Sequence, residues 1–339
     1  MAKYILKRLG LMVITFVLIF LMVFVLIKLL DPPPLTGQDH EIDRMRKERM
    51  ALGYTYLPVY DEEGKVIDGA YIEIRPPIME ELRAYLKMVF TEGNFGVGET
   101  MYGGQDVSEV FLKKLPFSIY INVFSSLIAI PVGISLGIWA ALRKNKLADH
   151  VISTAVMLGV SVPVVVFAPL LQYFLCFRWK IFPITLLDGT GWAMFAPSFF
   201  WSAMPAILTL AFLSVASLAR YSRAELSEVL TSEFMLLART KGLTKAQATV
   251  RHALKNAMVV VFPMILGEII GMLMGSLITE QVFSVPGIGS LYINSMQKLD
   301  YNFFLLVSTY YLLIGLVAGL VIDLSYQFID PRIRMGAKK

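Results

Sequence analysis

Apolar runs at 9–27, 115–142, 151–177, 197–219, 257–279 and 303–322 alternate with polar connections along this chain. Each is long enough to cross a bilayer, because about 20 helical residues span a hydrocarbon core of about 30 Å. The first run follows Lys3, Lys7 and Arg8, a basic start that a secretory signal would share. Its uncharged core is longer than a signal h-region, and Asp31-Pro32-Pro33-Pro34 offers no small-residue cleavage site, so it reads as a retained span. The pattern predicts an all-α membrane protein of six transmembrane helices, with a small α+β segment outside the membrane after the first helix. The predicted organisation is a spanning helix at 1–30, an extracytoplasmic segment at 31–114, a five-helix core at 115–329 that includes a loop at 220–256, and a tail at 330–339.

Within 31–114, Asp39 is placed to cap a helix running through Leu52 and ended by Gly53, with Met45, Met50 and Leu52 as its apolar positions. Strands are expected at 56–60 and 70–75, flanking Asp61-Glu62-Glu63-Gly64 as a hairpin. Pro76 and Pro77 then lead into a helix carrying Glu80, Glu81, Leu82 and Leu86. No catalytic spacing occurs here. A small outer cap is the simpler reading, with direct capture of a substrate as the alternative.

Composition agrees with a multi-pass protein: of 339 residues, 56% are hydrophobic and only 17% charged, where soluble domains carry about a quarter charged residues. Cys176 is the sole cysteine and the three histidines, His40, His150 and His252, are far apart, so no disulfide or metal-ligand set is predicted. No Ser-His-Asp, H-E-x-x-H or paired-carboxylate arrangement stands out, so no catalytic residue is predicted. The phosphate-binding pattern G-x-x-x-x-G-K-[ST] is absent as well, so any ATP chemistry is expected on another polypeptide.

The net charge of +5 does not point to nucleic acid, because the basic residues sit at the ends of apolar runs. Arg143, Lys144 and Lys146, seven basic residues from Arg220 to Lys255, and Arg332, Arg334, Lys338 and Lys339 fall on the same side as the basic start. The opposite side holds 31–114, with 16 acidic and 10 basic residues. The positive-inside rule therefore predicts cytoplasmic termini and an outward-facing 31–114.

Inside the runs, Glu268 falls near the middle of span five and Asp323 at the inner end of span six. A carboxyl at that depth is costly and is a functional candidate by default. It can face a wet cavity or bond a neighbouring helix, line a transport path, or couple protons. Gly267, Gly271 and Gly275 form a small-residue stripe on span five, and Gly133 and Gly137 a shorter one on span two beside Pro131. Such stripes let another helix approach closely. Ser284-Val285-Pro286-Gly287-Ile288-Gly289 reads as a tight outer reversal.

The segment 222–255 holds the densest Lys and Arg cluster between two apolar runs, in a helix–Gly–helix pattern centred on Gly242. Its first helix carries Leu226, Val229, Leu230 and, further on, Phe234, Leu237 and Ala238 on a broadly apolar side, and its second carries Ala246, Val250, Ala253 and Leu254. Gly242 supplies a left-handed turn without Cβ strain, making a compact elbow ringed by Arg239, Lys241, Lys245, Arg251 and Lys255. An interfacial amphipathic loop is the competing reading.

Ala238-Arg239-Thr240-Lys241-Gly242-Leu243, followed by Arg251-His252-Ala253-Leu254-Lys255, resembles the coupling loop of ABC importer permeases of the oligopeptide/dipeptide family. The resemblance runs through almost the whole chain: Tyr4-Ile5-Leu6-Lys7-Arg8-Leu9, Gly93-Asn94-Phe95-Gly96, Leu115-Pro116, Glu280 with Val282-Phe283-Ser284, Pro286-Gly287-Ile288-Gly289, Asp323-Leu324-Ser325-Tyr326 and Asp330-Pro331-Arg332-Ile333-Arg334. It departs where the generic loop has Glu-Ala-Ala and this chain has Leu236-Leu237-Ala238, and where Lys255 replaces a proline. The 54–78 stretch looks like an insertion.

The resemblance implies the type I ABC importer permease fold and a subunit of a bacterial inner-membrane importer for peptides. Its expected partners are a second homologous permease, two ATPases that hold ATP and magnesium, and an extracytoplasmic binding protein. It implies that the loop around Gly242 sits in a groove on one ATPase. The polar side chains Asn122, Gln172, Glu268 and Tyr310 are the candidate lining of the path. A permease for a nickel chelate or an oligosaccharide, and a stand-alone secondary carrier, are the alternatives. A carrier would need coupling-ion ligands and inverted repeats, which are not evident.

Overall fold

The computed structural model describes residues 2–61 and 66–329. The tail at 330–339, with the Asp330–Arg334 motif, lies outside the described residues. Chain contacts group the described residues into two units. One comprises the chain up to Lys114 together with Leu291–Leu313; the other comprises Leu115–Ser290 and the chain from Ile314 onward.

The first unit opens with α1 (Ala2–Lys28), followed by α2 (Asp39–Ala51), strands β1 (Thr55–Tyr60) and β2 (Val66–Ile74), and α3 (Ile78–Glu92). The strands pair antiparallel in the register Thr55–Ile74 and Leu57–Ile72, the second starting at Val66 rather than at the expected residue 70, and the expected turn residues Glu62-Glu63-Gly64 lie outside the described residues. Helix α2 begins one residue earlier than expected: Gln38 rather than Asp39 is the cap, and its backbone N–H donates to Glu41 (2.8 Å). Gly53 (φ +99°) and Gly93 (φ +65°) supply the left-handed turns after α2 and α3. Most of α1 presents exposed Leu, Ile and Val, suited to lipid, whereas Phe24 and Ile27 near its C-terminal end are buried with Leu52, Tyr54, Leu82, Tyr85 and Leu305.

The polar core of this unit was not visible in the hydrophobic pattern. Arg49 is almost fully buried and holds Glu99 through two hydrogen bonds (2.9 Å each), Glu73 at 2.8 Å and the Pro33 carbonyl at 2.7 Å. These carboxylates hold its guanidinium well above the usual arginine range, outweighing the cost of burial. Glu81, also fully buried, pairs with Lys28 and Arg75 and accepts from the Tyr54 hydroxyl. Asp300 accepts three consecutive amides, from Glu99, Thr100 and Met101 (2.8–2.9 Å). Burial pushes its carboxyl up while those amides pull it back.

The remaining elements are α4 (Val107–Leu142), α5 (Leu147–Ser161), α6 (Val164–Gln172) continued by a π turn (Tyr173–Arg178), α7 (Pro197–Leu230), α8 (Glu233–Thr240), α9 (Lys245–Ala248) with a π turn (Thr249–Ala253), α10 (Leu254–Gly271), α11 (Leu277–Val282), α12 (Ile288–Gln297) and α13 (Tyr301–Ile329). Five helical runs are long and apolar enough to cross a membrane, and α5 with α6 makes a sixth span bent by 103°. The bend sits at Val162-Pro163, where the ring cannot donate a backbone hydrogen bond, so the single span expected at 151–177 is broken.

Span five is also interrupted. The expected helix at 257–279 stops at Gly271, and α11 restarts at Leu277. The small-residue stripes behave oppositely to one another. A Cβ at Gly137 would lie 2.6 Å from the Ser222 Cβ and one at Gly133 2.8 Å from the Leu218 Cβ, so α4 and α7 touch there. Gly267 meets only Ile322 and Gly271 nothing within 4 Å. Close packing is therefore a property of the shorter stripe. The buried core of this unit gathers Tyr120, Ile121, Phe199, Ala203, Ala206, Ile207, Phe283 and Val285.

Candidate functional site: the elbow at Gly242 and the break in span five

The elbow is built from two standard helix ends set back to back. Helix α8 closes with the Leu243 N–H donating to the Ala238 carbonyl (3.3 Å) and the Gly242 N–H to that of Arg239 (3.0 Å). With Gly242 at φ +91°, this is a Schellman closure, which requires a residue without a Cβ penalty at that position. The next helix starts at once: the Gln247 N–H donates to Thr244 Oγ1 (3.3 Å) and the Thr244 N–H to Gln247 Oε1 (3.1 Å), a capping box.

The buried side of the elbow differs from the expected one. Met235, Ala238, Ala248, Ala253 and Ala257 pack with Ala141 and Leu226, while Leu237 and Val250 are exposed. Two local features reset the phase. Helix α7 ends at Leu230 and α8 restarts at Glu233 after Thr231-Ser232, so spacing does not carry across. In the second arm the π turn over Thr249–Ala253 adds a residue, so Ala248 and Ala253, five apart, share the face that Ala246 and Val250 were expected to fill. The outer surface consequently joins Leu236 (62% exposed), Leu237 (56%) and Val250 (65%) to the exposed Arg239, Lys241, Lys245 and Arg251. Thr240, Gly242 and His252 are exposed as well, and Leu243 is half-buried. An apolar and cationic surface of this kind suits a protein partner more than water alone.

From Lys245 to Gly271 the chain is one helical run of 27 residues, about 40 Å long. One end is the elbow. The other is the break at Met272–Ser276, where polar side chains replace helix hydrogen bonds. Asn122 Nδ2 donates to the Met274 carbonyl (2.5 Å) and to that of Ser118 (2.9 Å). Gln172 Nε2 donates to the carbonyls of Val282 (2.8 Å) and Ile184 (3.2 Å). Asn122 thus holds the interrupted segment itself, and Gln172 holds the end of the helix that follows it. Glu268, half-buried, accepts from Ser214 Oγ of α7 at 2.6 Å. Tyr310 belongs to the other unit, its ring edge-on to Phe111 at 5.0 Å. Sequence reasoning singled out Glu280 only as part of a motif. It is fully buried and accepts from Ser118 Oγ (2.7 Å), the Ser276 amide (3.0 Å) and the Ser290 amide (2.9 Å). Among the described residues no cluster of His, Cys, Asp or Glu is arranged to hold a metal.

Residues 133–335 match the family described as binding-protein-dependent transport system inner membrane component. Over 335 residues, 99% of this chain and the whole of the relative, the chain is 30% identical to the dipeptide transport system permease protein DppB of Lactococcus lactis subsp. cremoris. It is 28% identical to DppB of Bacillus subtilis, over the full length of both. With the oligopeptide transport system permease protein OppB of Salmonella typhimurium it shares 34% identity across 79% of this chain and 84% of that one. The family match contains the elbow and the helical run behind it, and the alignments with the two DppB proteins run through the whole chain. The chain belongs to the family of binding-protein-dependent transport system inner membrane components, and is a membrane-embedded transport subunit rather than an enzyme.

Proposed function

We propose that this chain is one of two permease subunits of an ATP-driven importer for dipeptides or oligopeptides, and that it is driven through the elbow at Gly242. The observation that carries this reading is the exposed apolar and cationic surface of the elbow at the head of an unbroken helical run into the bundle. The names of its relatives support peptides as the substrate class. In this reading the elbow, with both termini, faces the cytoplasm and Ala238–Leu243 with Arg251 and His252 seat in a groove of an ATPase that holds ATP and magnesium. Cationic side chains around the contact set register and speed docking. The outer cap faces a binding protein that delivers the peptide. ATP binding between two ATPases shifts the bundle between inward-open and outward-open states, since a ligand moves such an equilibrium only by favouring one state. Asn122 and Gln172 would shape the path by fixing its backbone, with Glu268 and Tyr310 at its wall.

The test is reconstitution in liposomes with the second permease, two ATPases and the binding protein. Labelled di- or oligopeptide should accumulate only with ATP, and loaded binding protein should raise ATP hydrolysis. Cysteines placed at Lys241 should react only from the ATPase side. Uptake by this chain alone, or labelling of the elbow from the outer side, would overturn the reading. Uptake of a nickel chelate or an oligosaccharide in place of peptide would keep the mechanism and change the cargo.

A further inference from the structure

Glu280 is a carboxylate with no exposure and, unlike the buried Arg49 and Glu81, it is held by a hydroxyl and backbone amides rather than by opposite charges. Ser118 Oγ donates to Oε1 and itself accepts the Ile288 amide (2.8 Å), so its proton is committed to the carboxylate. The Ser276 amide reaches the same oxygen, while the Ser290 and Gly289 amides serve the carboxylate from the following turn. All of these partners donate. Apart from Ser118 Oγ, which can also accept, these partners are backbone amides that only donate, so the cradle offers its hydrogen bonds to carboxylate oxygens. The glycines of the Pro286-Gly287-Ile288-Gly289 turn serve it as well. Neither has a positive φ, but a Cβ at Gly287 would overlap both Ser118 and Glu280, and one at Gly289 would lie 2.9 Å from Oε2. These glycines make room for a carboxylate rather than permit a turn.

We propose that Glu280 is a positioning residue for transport: a latch that binds the unwound end of span five, the turn at 284–290 and α4 into one rigid piece. This goes beyond the proposed function while resting on it. The helical run Lys245–Gly271 ends at the break, and a displacement of the elbow reaches the outer end of span five only if the chain beyond Gly271 is held. Asn122 holds Met274 from α4, and Ser118, one helical turn before Asn122, holds Glu280. Without the latch the unwound stretch absorbs the motion, and ATP is hydrolysed with little peptide moved.

The experiment uses the complete importer in liposomes and reads peptide moved per ATP hydrolysed, together with the amount of assembled complex. Glu280→Gln keeps the shape but turns an N–H pair toward donors. It should assemble, keep hydrolysing ATP, and lower the transport ratio by about tenfold, the scale of one lost charge-assisted bond. Glu280→Asp should restore part of that ratio. A Cys at 274 in a Cys176→Ser background should change its labelling rate between nucleotide-free and ATP-bound states, and Glu280→Gln should abolish the difference. An assembled Glu280→Gln complex with the wild-type ratio and labelling pattern overturns the latch. Should that variant fail to assemble, Ser118→Ala decides: a reduced ratio supports the latch and an unchanged one overturns it. A wild-type complex that moves no peptide would sink the proposed function instead, and the labelling difference would still judge the latch.

Discussion

The two ends of the helical run Lys245–Gly271 solve opposite problems with the same residue type. At the elbow, Gly242 has nothing within 4 Å of its would-be Cβ, yet its φ of +91° excludes side chains on conformational grounds. Beyond the break, in the turn after α11, Gly287 has an ordinary φ, and it is the space beside it that is filled, by Ser118 and Glu280. One end is exposed, charged and held by local backbone bonds across a few residues. The other is partly buried and held by side chains, Asn122 from α4 and Glu280 from α11. Local bonds let the elbow keep its shape at an exposed surface without support from distant helices. A backbone interruption inside a membrane must have its polar groups paired within the protein, because lipid offers no substitute.

The contrast predicts different failures. Gly287→Val should be the most damaging change, since it forces a branched side chain into the Ser118–Glu280 contact at a cost of about 3 kcal/mol or more. Membrane yield and melting temperature of the purified complex should both fall sharply, and normal yield would show that the turn can move aside. Gly242→Val imposes left-handed strain of only about 1–2 kcal/mol in open space. It should leave yield intact and uncouple ATP hydrolysis from uptake, measured as peptide per ATP. Equal losses of yield at both glycines would erase the distinction.

Polar substitutions sharpen it further. Asn122→Leu leaves the Met274 carbonyl without its amide, a loss of about 1–3 kcal/mol for a buried group. Thr244→Ala removes one half of an exposed capping box, worth about 1 kcal/mol. Thermal melting should therefore fall further for Asn122→Leu. Peptide transport per ATP should suffer in both, because each variant loosens one end of the same run.

Local chemistry was legible in the sequence; contacts between distant residues were not. The six apolar runs, the hairpin, the Gly53 stop and the Gly242 elbow follow from periodicity and turn residues, and the structure contains them. The capping box at Thr244 could have been read from its T-x-x-Q spacing. The bend at Val162-Pro163 had a signal in its proline. The exposed face of the elbow was misjudged because a π turn has no clear sequence signature and shifts every position beyond it. The break after Gly271 was hidden in an uninterrupted apolar run, since Asn122, which holds Met274, comes from α4, and Glu280 reaches back to Ser276 only once α11 has formed. Arg49 was likewise one basic residue among many until the fold placed Glu73 and Glu99 around it.

Glu268 sits just before the break and gives the gentlest test. Its carboxylate accepts from Ser214 Oγ at 2.6 Å and lies only half-buried. Glu268→Gln retains an oxygen in the same place, so the bond to α7 can persist without the charge. Because ATP drives the cycle in the proposed function, loss of that charge removes no coupling step, and uptake should stay within about twofold of wild type, the usual range for a change of about 0.5 kcal/mol. Glu280→Gln, twelve positions later, alters the same chemical group in a cradle made entirely of donors and should uncouple. If instead Glu268→Gln abolishes uptake and only Glu268→Asp restores it, the carboxylate near the middle of span five carries protons, and the contrast between a half-buried acceptor and a fully enclosed latch has been drawn at the wrong residue.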